Sequence, residues 1–120
     1  MKKVLTMACL AATLSAAGCA TQPRQPTGFY WGNYSQTLYA YEKDPGAKSL
    51  ADHERALQRI INSANAKVSR VPPGVYAEMG NLYLKKGDRA EAIRYFNLEA
   101  EHYPESATLM KNLISKAGKA

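Results

Sequence analysis

Cysteine is scarce in this chain: there are two, Cys9 and Cys19. Cys9 lies inside an apolar leader and is lost if that leader is removed. One thiol then remains, and no intramolecular disulfide can form. Histidine is equally scarce. His53 and His102 lack a motif-spaced carboxylate or second ligand, and His53, alone on a helix, reads as a surface or boundary residue. Asp52-His53-Glu54 puts neighbours on different helix faces, not in one site. There is no G-x-S-x-G elbow, no H-E-x-x-H, no phosphate-binding glycine loop and no C-x-x-C. A small helical stack also lacks a deep pocket to exclude water. These absences argue against an enzyme, and no cofactor or metal site is expected. Valine and isoleucine are few and most aromatics are tyrosine, which favours helix over sheet. The apolar stretch from Val4 to Ala17 is too short and too weakly apolar to cross a membrane.

The formal charge is +6, and about +4 once Lys2 and Lys3 leave with the leader. That balance is mildly basic. It suits anionic lipid or cell-wall polymer nearby, and it is far from the clustered basic stripe of a nucleic-acid binder. With 120 residues the chain is one small domain at most.

What is present begins with a targeting segment. Lys2-Lys3 form a positive n-region, and Val4 to Ala17 an apolar region of signal-peptide length. It ends in Ser15-Ala16-Ala17-Gly18-Cys19. Small residues before a cysteine resemble the bacterial lipobox, although Ala16 stands where Leu is usual. The resemblance implies removal of residues 1–18, a diacylglycerol on the Cys19 thiol and an acylated new amino terminus. It accounts for a single unpaired cysteine in an exported chain. Ordinary secretory cleavage after Ala17 or Ala20 is the rival. Several acyl chains at one end anchor nearly permanently, since each buried methylene adds roughly 0.8 kcal/mol. In enterobacterial lipoproteins an Asp after the cysteine retains the protein at the inner membrane. Ala20 stands there, which implies the outer membrane, facing the periplasm. Ala20 to Gly28 is then a polar tether with two prolines, able to span at most about 30 Å.

The segment Phe29 to Tyr41 concentrates the aromatics: Phe29, Tyr30, Trp31, Tyr34, Tyr39 and Tyr41. Tyr30, Tyr34, Leu38 and Tyr41 recur at helical spacing, with Trp31 and Tyr39 off the stripe. The segment reads either as the first helix of a degenerate repeat, its rings in the core, or as a stacking platform for peptide or glycan. Phe29 and Trp31, beside the tether, also suit a membrane interface. Asp44-Pro45-Gly46 marks a turn. Ser49 is placed to cap a long helix to about Ser69, with Leu57, Ile60, Ile61, Ala64 and Val68 as its apolar stripe. Asp52, Glu54, Arg55, Arg59 and Lys67 form its solvated side.

The best-defined part is the hairpin from Val75 to Pro104. Tyr76, Met79, Gly80 and Tyr83 share one helix face. Lys86-Gly87-Asp88 breaks the pattern, Asp88 and Glu91 form a capping-box pair, and Pro104 stops the second helix. Ala92, Ile93, Phe96, Ala100 and Tyr103 are its expected inner face. These residues resemble the tetratricopeptide repeat, W-x2-L-G-x2-Y then A-x3-F then P, with Tyr76 for Trp and Met79 for Leu. Small residues sit where the two helix backbones approach. Tyr30 to Val68 looks like a first, degraded repeat. A last helix from Glu105 to about Lys116 buries Leu109, Met110, Leu113, Ile114 and Ala117 and seals the array. The expected fold is all-α. Residues 29–120 form a helical hairpin stack of about two tetratricopeptide-like repeats plus a C-terminal capping helix.

The whole mature chain also resembles a family of small bacterial lipoproteins of unknown function. Y-W-G-N-Y from Tyr30, L-Y-A-Y-E-K-D-P-G from Leu38 and the repeat carry that likeness. Members are often encoded beside a curli-secretion-channel-like lipoprotein, which implies a shared envelope complex. Two function classes are expected. One is a protein-binding scaffold or pilotin-like helper, with Asn81 and Lys85, beside Glu78, facing outward from the first helix of the hairpin toward a partner segment. The other is a cell-wall or glycan-binding module that uses Trp31, Tyr39 and their aromatic neighbours.

Overall fold

The computed structural model describes residues 28–66 and 70–119. The expected leader, Cys19 and the tether as far as residue 27 lie outside the described residues, as do Lys67, Val68 and Ser69. The domain is all-α. Helices α1 (Tyr34–Lys43), α2 (Ala47–Asn65), α3 (Val75–Lys85) and α4 (Arg89–His102) are followed by a 3-10 turn, Pro104–Ser106, and α5 (Ala107–Lys119). Each helix packs on the next, so α1/α2 and α3/α4 are two stacked hairpins and α5 covers the second. Outside the helices, one parallel bridge joins Phe29 to Arg70.

Local chemistry sets the boundaries. α1 starts at Tyr34, after Gly32 at φ +51°, so Phe29, Tyr30 and Trp31 precede the helix and Tyr30 leaves the expected stripe. α2 starts two residues before Ser49. Gly46 is its cap, and its N–H donates back to the Ser49 hydroxyl at 3.0 Å. Ser49 therefore stabilises the helix start from inside the first turn, not from the cap position. α3 closes with the Asp88 N–H on the Tyr83 carbonyl (2.9 Å) and the Gly87 N–H on that of Leu84 (3.0 Å), a Schellman closure. Asp88 then caps α4 by accepting the Glu91 N–H at 3.1 Å. The reciprocal arm of the expected capping box is replaced, because the Glu91 carboxylate pairs with Arg94 at 2.8 Å.

The core has two parts. Leu57, Ile60 and Ile61 of α2 pack on Val75, Tyr76, Met79 and Leu82 of α3, with Tyr95. Ala92 and Phe96 of α4 pack on Met110 of α5. Phe96 is fully buried, which stabilises the fold by roughly 1.5–3 kcal/mol. Its ring fills the space beside Gly80, where an added Cβ would stand 2.5 Å from Cε1. This contact sets the spacing of α3 and α4.

Two parts of the expected core are corrected. The buried residues of α4 are Ala92, Tyr95, Phe96 and Glu99, with Ile93 and Ala100 only half-buried. The helix is rolled so that the Glu99 carboxylate accepts the N–H groups of Gly74 (2.7 Å) and Ala77 (3.4 Å) at the start of α3. Those amides have no partner within their own helix, and a carboxylate there also meets the positive end of the helix dipole. On α5, Leu109 is 59% exposed. Met110, Leu113, Ile114 and Ala117 centre the stripe, and Leu109 lies about 90° off it at 100° per residue.

Candidate partner-binding surface

Helix periodicity puts Tyr34, Thr37, Leu38 and Tyr41 on one side of α1 and Tyr39 on the other. The first set turns toward the rest of the stack. The Tyr34 hydroxyl donates to Glu78 Oε2 on α3 at 2.8 Å. Glu78 Oε1 lies 2.7 Å from His53 Nε2 on α2. His53 Nδ1 lies 2.9 Å from the Thr37 hydroxyl on α1. Since the Glu78 carboxylate accepts, Nε2 carries the hydrogen and Nδ1 faces Thr37. Two residues from α1 and one each from α2 and α3 thus share one polar clasp.

The clasp corrects two expectations. His53 is not a surface residue; its exposure is 0%. Glu78 does not face outward but is turned into the stack and half-buried. Both nitrogens of His53 are occupied, which leaves neither for a substrate. Burial and the adjacent Glu78 carboxylate push the Tyr34 phenol up to about 12. Sequence signals for the clasp existed. His53 precedes Leu57, Ile60, Ile61 and Ala64 by 4, 7, 8 and 11 residues, so it extends their stripe. Glu99 extends the stripe of Ala92, Tyr95 and Phe96 in the same way.

A second tie joins α1 to α3 at the surface. The Lys85 ammonium donates to the Tyr41 hydroxyl at 3.0 Å and sits 5.0 Å from the centre of the Tyr41 ring. Asn81, one turn before Lys85, is exposed. Asn81 and Lys85 therefore share the exposed side of α3, with Tyr41 of α1 beside them. Trp31 and Tyr39 are not brought together in this way. Trp31 precedes α1 and meets Tyr34 edge-on at 5.0 Å. Tyr39 is 65% exposed on the far side of α1, with Lys43 Nζ 5.8 Å from its ring.

Among the described residues no three His, Cys, Asp or Glu side chains gather as a metal-holding group. Among the same residues no helix is long and apolar enough to cross a membrane.

The class defined here is an all-α hairpin stack whose first and third helices are locked together by side chains. The chain belongs to the family described as Domain of unknown function (DUF4810), whose model matches residues 29–113. That span runs from the first exposed aromatic into α5 and takes in the clasp. No curated protein and no solved structure matches the chain.

Proposed function

We propose that this protein is an outer-membrane lipoprotein, acylated at Cys19 and facing the periplasm. Its helical stack is a non-catalytic protein-binding scaffold, a pilotin-like assembly helper for an envelope or secretion-channel complex. In this reading α3/α4 is a tetratricopeptide-like repeat, which the fit of Phe96 against Gly80 supports. A curli-channel-like lipoprotein is the candidate partner.

The observation that carries the reading is the pairing of α1 with α3 through Tyr34–Glu78 and Tyr41–Lys85. Helices held side by side present a preorganised face, and preorganisation lowers the entropic cost of binding. Asn81 supplies a donor and an acceptor for the backbone of an extended segment. Lys85 supplies a cation for a carboxylate. Leaving the Tyr41 ring costs it only about 0.5–1 kcal/mol at an exposed site.

The test is recovery of partners by the acylated protein, followed by mass spectrometry. Asn81→Ala with Lys85→Ala should leave helicity unchanged, lower Tm by no more than a few degrees through loss of the Lys85–Tyr41 contact, and lower recovery of an envelope protein several-fold. Unchanged recovery, together with its loss in Trp31→Ala with Tyr39→Ala, would overturn the α1/α3 reading. The exposure of Trp31 and Tyr39 favours a second reading, a cell-wall or glycan-binding module. Sedimentation with purified sacculi, lost on substituting those two rings, would support it.

A further inference from the structure

Phe29, Tyr30 and Trp31 are 41%, 43% and 42% exposed. Three successive rings left this open to water make an exposed apolar patch at this end of the stack. The rings are nonetheless held. Trp31 rests on Tyr34, which Glu78 holds in turn. The Tyr30 ring folds over Gly32, where a Cβ would stand 2.9 Å from the phenol oxygen. Phe29 is bridged through its backbone to Arg70. Two exposed cations lie at this end. Arg70 is the bridge partner, and Arg59 donates to the Asn33 side chain at 2.8 Å.

The position of the patch along the chain names its occupant. It begins one residue after the nine-residue segment Ala20–Gly28 that follows Cys19. That segment spans at most about 30 Å. We propose that Phe29, Tyr30 and Trp31 lie in the interfacial layer of an anionic phospholipid bilayer, with Arg59 and Arg70 toward its phosphates. The patch is then a second membrane contact that fixes how the stack stands on the bilayer. Aromatic rings with a polar edge favour that layer. Arginine pairs with phosphate through two parallel hydrogen bonds. A patch this small would bind weakly from solution. Tethering makes its contact intramolecular, at an effective concentration set by the short linker. The proposal rests on the lipoprotein reading for the anchor that brings the patch within reach.

Trp31 is the chain's one tryptophan, so fluorescence reports this site alone. The acylated protein is placed in vesicles of phosphatidylethanolamine and phosphatidylglycerol. Trp31 emission should shift to the blue relative to the protein in detergent. Brominated phospholipid should quench it, and acrylamide should lose most of its effect. A Trp31→Phe, Leu109→Trp variant moves the probe to an exposed site on α5. Its emission should stay aqueous and open to acrylamide. Trp31 as open to acrylamide as that control, in protein carrying the palmitate label, overturns the patch and leaves the anchor standing. Absence of the palmitate label overturns the anchor, and this proposal with it. A blue shift with sacculi but none with vesicles also overturns it, in favour of glycan.

Discussion

His53 on α2 and Glu78 on α3 meet at 2.7 Å across the seam between the two hairpins. The histidine is fully buried, while the Glu78 side chain keeps 25% of its exposure. The carboxylate therefore links the closed interior to the surface, where Tyr34 of α1 also reaches it. The relative placement of the hairpins depends on this contact as much as on apolar burial, since a buried polar ring needs its partners.

Removing the carboxylate should loosen the seam. Glu78→Ala leaves His53 Nε2 and the Tyr34 hydroxyl without their acceptor. The expected loss is about 1–3 kcal/mol, measured by urea unfolding. Glu78→Gln keeps an acceptor oxygen and should lose less. A Glu78→Ala loss below about 0.5 kcal/mol, the usual range for plain surface sites, would contradict the clasp.

The contact of Gly80 with Phe96 predicts a sign. Glycine to alanine inside a helix ordinarily gains about 1 kcal/mol. Here the new methyl meets a fully buried ring at 2.5 Å. Overpacking of this kind costs about 1–3 kcal/mol. Gly80→Ala should therefore lower stability, and a gain would show that the ring can yield.

Phe96→Ala should cost about 3–5 kcal/mol. A domain of this size has about 5–10 kcal/mol in total, so the variant should be nearly unfolded at body temperature by circular dichroism. A variant as stable as the parent would remove Phe96 from the core.

Alkaline pH should test Tyr34. Its phenol is raised from the usual 10 to about 12. Below pH 10 the phenol is neutral in both states, and its contribution to stability is complete. Between pH 10 and about 12 the unfolded chain loses this proton first, so stability falls as pH rises. Burial raises Tyr76 and Tyr103 as well, so some slope remains without Tyr34. Tm should fall less steeply across this window in Tyr34→Phe than in the parent. Equal slopes would mean that Tyr34 ionises as freely folded as unfolded.

Lipidation is tested in cells. A palmitate analogue should label the parent, and Cys19→Ser should abolish the label. Label that persists in Cys19→Ser would place the acyl chains at another residue, and no label in the parent would mean that the chain is not acylated.

The amino-acid sequence by itself determined the helices and the hairpin. Their signals are local: apolar residues at helical spacing, Gly87 and Asp88 at the turn, Pro104 after α4. Gly80 and Phe96 were legible because a repeat pattern pairs a small residue on one helix with a large one on the next. Tertiary structure decided the rest. His53, Glu78 and Glu99 are residue types that favour water. Periodicity puts His53 and Glu99 on an apolar stripe but leaves Glu78 off its own, and residue type alone assigns all three to the surface. Each is buried or turned inward because its partner comes from a distant segment: 25 residues separate His53 from Glu78 and Gly74 from Glu99. Leu109 was misplaced for the opposite reason. Its type favours burial, but the centre of the α5 stripe depends on which side meets α4. A side chain's hydrogen-bond partner belongs to the assembled stack, and it is not encoded in its neighbours along the chain.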